Sequence, residues 1–176
     1  MKKTNTIISL FFFLFFTCTF AYSQNTDFLD EKFGFQDFKF NTPLSNYSKH
    51  NPSKVSDGHF ELKNLTEITI GTYEVETVEL FFKNNNLVKV KVKLDDQDRQ
   101  KNESIFNALI KNYGRYTFHR STSGYTYTSE MVWKGKLVNL VYSFTSFRED
   151  GQFQTKIFLT YSYVGEALEV DLSKDL

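Results

Sequence analysis

The 176-residue chain has one cysteine, two prolines and one tryptophan. A lone cysteine, Cys18, closes no internal disulfide and supplies no paired-cysteine metal site. With prolines only at Pro43 and Pro52, and no low-complexity stretch, nothing marks a linker that would divide the chain. An excess of one charge is also lacking. The 21 basic residues balance 21 acidic ones and form no basic block, so nucleic acid is not an expected partner. The histidines His50, His59 and His119 stand in no zinc-ligating spacing. Asp95-Asp96-Gln97-Asp98 lacks the glycine and terminal glutamate of an EF-hand loop and reads as a helix cap. No metal and no cofactor is expected.

Long hydrophobic runs are missing too. The densest, Ile7 to Phe16, is interrupted by Ser9 and is half of the roughly 20 residues that a membrane-spanning helix needs. Lys2 and Lys3 precede it, and Ala21-Tyr22-Ser23 follows with small residues at −3 and −1. That layout reads as a signal peptide over residues 1–23 and predicts an exported protein, periplasmic or secreted, with no transmembrane span after cleavage. The alternative is a lipoprotein anchored through Cys18. Phe15-Phe16-Thr17 before it does not resemble a lipobox, which takes leucine and then small residues. Taking Lys2 and Lys3 from 21 basic residues leaves 19 against 21 acidic ones, a formal −2.

Aromatic residues are what the chain has in abundance, 18% of it. They can build a core without disulfides. Residues 24–164 read as one domain, with a loose polar start from Gln24 to Glu31 and a polar tail over 165–176. Phe33, Phe35, Phe38 and Phe40 alternate with polar residues as a short strand does. Thr42-Pro43 suits a hydroxyl N-cap and a first-turn proline for a short helix through Leu44 and Tyr47 to His50, stopped by Asn51-Pro52-Ser53. A strand is expected near 59–63 or 67–70.

Val78, Leu80 and Phe82, then Val88, Val90 and Val92, recur with period 2 on either side of Asn84-Asn85-Asn86. This predicts a hairpin pairing Val78 with Val92, Leu80 with Val90 and Phe82 with Val88, through a three-residue loop with Asn86 at positive φ. Ile105, Phe106, Leu109, Ile110 and Tyr113 recur at helical spacing before Gly114, predicting a helix over 99–113 with a C′ glycine. Strands are expected over 125–133, 137–147 and 153–164, with His119-Arg120 in a Ser- and Thr-rich loop before them. The predicted fold is therefore α+β: an antiparallel sheet with helices on one face, its element order expected to repeat as two α-β-β-β units in tandem over about 33–94 and 95–164.

Four phrases carry a resemblance: Gly34-Phe35-Gln36-Asp37-Phe38-Lys39-Phe40-Asn41-Thr42-Pro43, the hairpin Val78 to Val92, Leu109-Ile110-Lys111-Asn112-Tyr113-Gly114, and the turn Trp133-Lys134-Gly135. Together they resemble small secreted bacterial envelope proteins whose helix-then-hairpin units are similar to those of BamE-like outer-membrane assembly proteins and of the β-lactamase-inhibitor-protein fold. The resemblance implies architecture and brings over no functional residue. BamE-like proteins are typically lipoproteins, and the residues before Cys18 depart from that.

Tyr125, Tyr127 and Trp133 share one face of a strand, and Tyr142, Phe144, Tyr161 and Tyr163 follow on the next two. One reading is a core beneath helix 99–113. The other is a ligand-binding face, for which Tyr125, Tyr127 and Trp133 are the candidates. The leading functional expectation is a non-enzymatic binding module whose partner is a protein or an envelope component. An envelope assembly factor is the alternative. A hydrolase using Glu130, or His119 with an acid, comes third.

Overall fold

The structure is a computed structural model that describes residues 26–94 and 99–165. Residues 1–23, for which a signal peptide is expected, the Asp95–Asp98 cluster and the tail after Gly165 lie outside the described residues. Strand makes up 54% and helix 20% of it. These proportions overturn the α+β expectation of helices layered on one face of a sheet: the protein is mainly β. Two strands of the main sheet lie where none is expected. Pro52–Ser56 (β3) follows a short 3₁₀ helix, Leu44–His50, at the Asn51-Pro52-Ser53 stop, and Thr117–Ser123 (β9) occupies the Ser- and Thr-rich stretch expected as a loop.

The other strands of the main sheet are β4 (His59–Leu62), β7 (Thr77–Lys83), β8 (Asn86–Leu94), β10 (Thr126–Lys134), β11 (Val138–Glu149) and β12 (Gln152–Tyr163). Two small ladders stand apart, β1 (Gly34–Phe35) with β2 (Phe38–Lys39), and β5 (Thr69–Ile70) with β6 (Tyr73–Glu74). The eight-stranded sheet is antiparallel throughout, in the order β3-β4-β7-β8-β12-β11-β10-β9. Each half of the chain runs from an edge strand to the centre, and β8 meets β12 there. Four strands per half, joined in one continuous sheet, replace the expected α-β-β-β units.

Register assigns the faces, because side chains alternate across a strand. Phe60 opposes Leu80, Leu80 opposes Val90, and Val90 opposes Tyr161. Tyr161 opposes Leu140, which opposes Trp133. One apolar face therefore crosses six strands. The opposite face is charged and satisfies itself. His59 Nε2 lies 2.7 Å from Glu79 Oε2, and the Lys89 and Lys91 ammonium groups sit 3.9 and 4.2 Å above the Phe81 and Phe158 rings.

The hairpin pairs Val78 with Val92 and Leu80 with Val90 as the alternation predicts. Its end differs. Phe81 opposes Lys89 and Phe82 opposes Leu87, so Val88 is an extra residue in a bulge, and the loop shrinks to Asn84-Asn85, both at positive φ. The bulge absorbs the residue that an unbroken ladder would have pushed into the turn. It buries Leu87 rather than Val88.

Two different covers lie on the apolar face. One is helix α2 (Arg99–Tyr113), which buries Ile105, Leu109 and Tyr113 and ends at Gly114, whose N–H donates to Ile110 O. The other is the aromatic segment 33–50, only partly regular. Phe35 packs 5.4 Å from Tyr161, Phe33 5.3 Å from Tyr163 and Tyr47 6.3 Å from Phe82. The expected strand through Phe33–Phe40 is instead a tight β1–β2 ladder. The chain turns at Gln36-Asp37, with Gln36 at φ 50°, and β2 can close onto β1 because Gly34, at φ 149°, has no Cβ to strike the Phe38 carbonyl. Thr42 is no N-cap either: the 3₁₀ helix begins after Pro43, and the Thr42 hydroxyl faces Phe40 O at 3.4 Å.

The start of the domain is not loose. Asp27–Lys32 forms helix α1, with Leu29 fully buried. Its Asp30 carboxylate accepts three backbone N–H groups from the β10–β11 turn, those of Lys136 (2.7 Å), Leu137 (2.8 Å) and Val138 (2.8 Å).

Candidate binding surface at the aromatic end of the sheet

The three sequence-level candidates part company. Trp133 has no exposed surface, and its indole N–H donates to Gly114 O at 3.0 Å. It also packs against Tyr113 and Tyr116. Burial of this kind makes it a core residue that holds the end of α2 on the sheet. Tyr125 and Tyr127 lie toward the other end of β10 and are 76% and 46% exposed. Tyr125 occupies the two-residue β9–β10 turn after Gly124, whose φ of 56° suits glycine at the first turn position. Strand alternation puts Tyr127 and Trp133 on one face, yet α2 covers only the Trp133 end.

Register adds residues that periodicity alone did not gather. Met131 opposes Phe118 on β9 and Tyr142 on β11, while Phe144 opposes Ser129 and Ile157. Phe118 is 54% exposed and Phe144 39%. Beside the first turns of α2 the same face opens into a hollow of about 490 Å³ lined by Glu103, Phe106, Met131, Tyr142, Phe144 and Ile157, among others. Phe106 stacks on Tyr142 at 5.5 Å and closes its inner end. Burial pushes the Tyr142 phenol up to about 12, a mark of how far this wall is withdrawn from water. Phe118, Tyr125, Tyr127 and Phe144 thus form an exposed aromatic rim beside an apolar hollow. Such a rim favours contact with another molecule, because each ring offers area at low conformational cost.

The rim ends in an edge strand. All seven residues of β9 are exposed, and among the described residues it pairs only with β10, in unbroken register from Thr117 to Ser123. The other edge differs. β3 starts at Pro52, carries Lys54 and shifts register between Lys54 and Ser56. Proline, lysine and a bulge are the features that discourage a further strand. β9 has neither proline nor bulge, and Arg120 is its single charged guard. Sequence reading missed it because its two charged or titratable residues, His119 and Arg120, and its small hydroxyl residues keep it polar. The strand propensity of Thr117, Phe118 and Thr122 was the signal available.

The remaining candidates sit elsewhere. His50 is buried 5.1 Å from the Phe38 ring, and His59 stacks on Phe81 at 4.3 Å while bound to Glu79. His119 directly opposes Glu130 across β9–β10. Both line a broad concavity of about 820 Å³ on the polar face, with Lys89, Lys134, Ser143 and Ser162. The acid and the histidine are therefore neighbours on the polar face of the sheet. Among the described residues no three His, Cys, Asp or Glu side chains gather as metal ligands, and no helix is long and apolar enough to cross a membrane. Comparison with known proteins finds no matching family model, curated protein or solved structure, so the functional reading rests on this geometry.

Proposed function

We propose that the chain is a non-enzymatic binding module of an exported protein, and that its partner presents an extended polypeptide segment to β9 and the aromatic rim. The observation that carries this reading is the contrast between the sheet's two edges. β3 is guarded and β9 is open along seven residues. An added strand would satisfy the outward N–H and C=O groups of β9, while Phe118 and Tyr127 supply apolar contact beside it. Arg120 and His119 favour a segment with acidic residues, since β9 carries no carboxylate of its own. The layout of residues 1–23 supports export.

The test has two stages. The full chain is used to capture partners from envelope and medium fractions of its native host, beside a Phe118→Ser, Tyr127→Ser double variant whose changes fall on exposed side chains. Amide hydrogen exchange is then compared with and without the captured partner. Loss of the partner in the variant, with new protection in β9, is the expected result. Protection elsewhere and an unchanged β9 would refute strand addition. Capture of nothing from any fraction would refute a protein partner.

A further inference from the structure

A second cleft lies on the other side of α2, away from the rim. It measures about 460 Å³ and is bounded by three chain segments: α2, the β1–β2 turn and the β5–β6 ladder. Its walls are tied together rather than loosely apposed. The Gln36 side-chain amide donates to Thr69 O, joining the β1–β2 turn to β5. Lys101 Nζ donates to Glu74 O at 3.2 Å and lies 5.4 Å from the Tyr73 ring centre, joining β6 to α2. The volume falls within the range of small-molecule sites, about 300–1,000 Å³.

The lining has a consistent chemistry. Phe35, Ile70, Ile105, Leu109, Tyr73 and Tyr161 supply apolar surface. The charged residues that line it are Lys32, whose ammonium lies 4.6 Å from the Phe28 ring, and Lys39; no aspartate or glutamate is in the lining. Lys39 Nζ donates to Lys32 O at 2.7 Å, which holds its ammonium near the mouth. The phenol rings of Tyr113 and Tyr161, both buried, form part of the lining. Apolar walls and the Lys39 ammonium, with no carboxylate in the lining, complement a small molecule that has an apolar body and one anionic end.

We propose that this cleft binds a small amphipathic carboxylate, its apolar body between α2 and Phe35 and its carboxylate at Lys39. This site is separate from the β9 surface, and either can fail without the other. Decanoate and 3-phenylpropanoate are the probes, distinguishing an alkyl chain from an aromatic body, and decanol is the uncharged control. Titration calorimetry on the full chain should detect one of the two carboxylates binding more tightly than decanol. Lys39→Gln should weaken that binding about tenfold, the loss expected for one charge-assisted hydrogen bond, and leave decanol unchanged. Ala108→Trp, at an exposed position of the lining, should block the cleft and abolish binding. Failure of both carboxylates to bind would overturn the proposal, as would equal affinity for decanol or full binding in Ala108→Trp.

Discussion

Asp30 is the most exacting test of how the N-terminal segment is held. Its carboxylate takes the N–H groups of Lys136, Leu137 and Val138 at 2.7–2.8 Å, across more than 100 residues of sequence. Asp30→Ala would strand all three donors. Lys136 and Leu137 lie at an exposed turn, where water can replace the lost acceptor at little cost. Val138 has no exposed side-chain surface and starts β11, so its N–H bears most of the penalty. A bond to a charged acceptor contributes about 1.5–3 kcal/mol, and a buried orphaned donor costs about 1–3 kcal/mol. Together they suggest a loss of about 3 kcal/mol, which lowers Tm by roughly 6–12 °C for a domain of this size.

Gly135 supplies the internal check. A Cβ there would press on Asp30 Oδ1 and lie 2.6 Å from Val138 O, so Gly135→Ala should itself displace the carboxylate. The two substitutions then share a mechanism. Urea unfolding of both single variants and the double variant should give a combined loss smaller than the sum by about 1 kcal/mol or more. Strict additivity, or an unchanged midpoint in Asp30→Ala, would refute the claim that this carboxylate anchors α1 to the β10–β11 turn.

Two further outcomes follow from burial. Trp133→Ala should destabilise the domain by about 3–5 kcal/mol in chemical denaturation, since it empties a fully enclosed site and orphans Gly114 O; a loss below about 1 kcal/mol would contradict its place in the core. Desolvation raises the phenols of Tyr47, Tyr113, Tyr142 and Tyr161, that of Tyr142 from 10.0 to about 12. Because the folded values lie above the unfolded one, stability from these groups is intact below pH 10 and is lost as pH rises through 10 to about 12 and beyond. Each such phenol subtracts about 1.4 kcal/mol per pH unit within its window. Urea midpoints across that range should fall steeply, with phenolate absorbance appearing together with unfolding; a flat profile would place these hydroxyls in water.

Much of the architecture was legible because it depends on local period and on residues near one another. The alternation of Val78, Leu80, Val90 and Val92 dictated a pairing in which every apolar side chain shares a face. The helical spacing of Ile105, Leu109 and Tyr113, ended by Gly114, dictated α2 with its observed bounds. The last three strands were likewise legible within two residues. What failed did so where local pattern is weak. β9 is polar and wholly exposed, so no buried face imprinted an apolar period on it. The bulge at Val88 and the brevity of β1 and β2 come from packing and from one glycine, not from hydrophobic alternation. Counting helical signals therefore overweighted helix and made a mainly β protein look α+β.

The candidate surface divides along the same line. By itself the sequence determined that Tyr127 and Trp133 lie on one strand face and that aromatics crowd the last strands, because strand geometry has period 2 wherever the strand sits; Tyr125, expected on the same strand, falls in the turn before it. Only the tertiary structure decided that α2 covers Trp133 and leaves Tyr127 open, that β9 is a bare edge beside it, and that Asp30 closes on a turn more than 100 residues away. Those outcomes depend on where helix ends and distant segments come to rest on the sheet. Long-range packing sets that position, and no local run of residues encodes it.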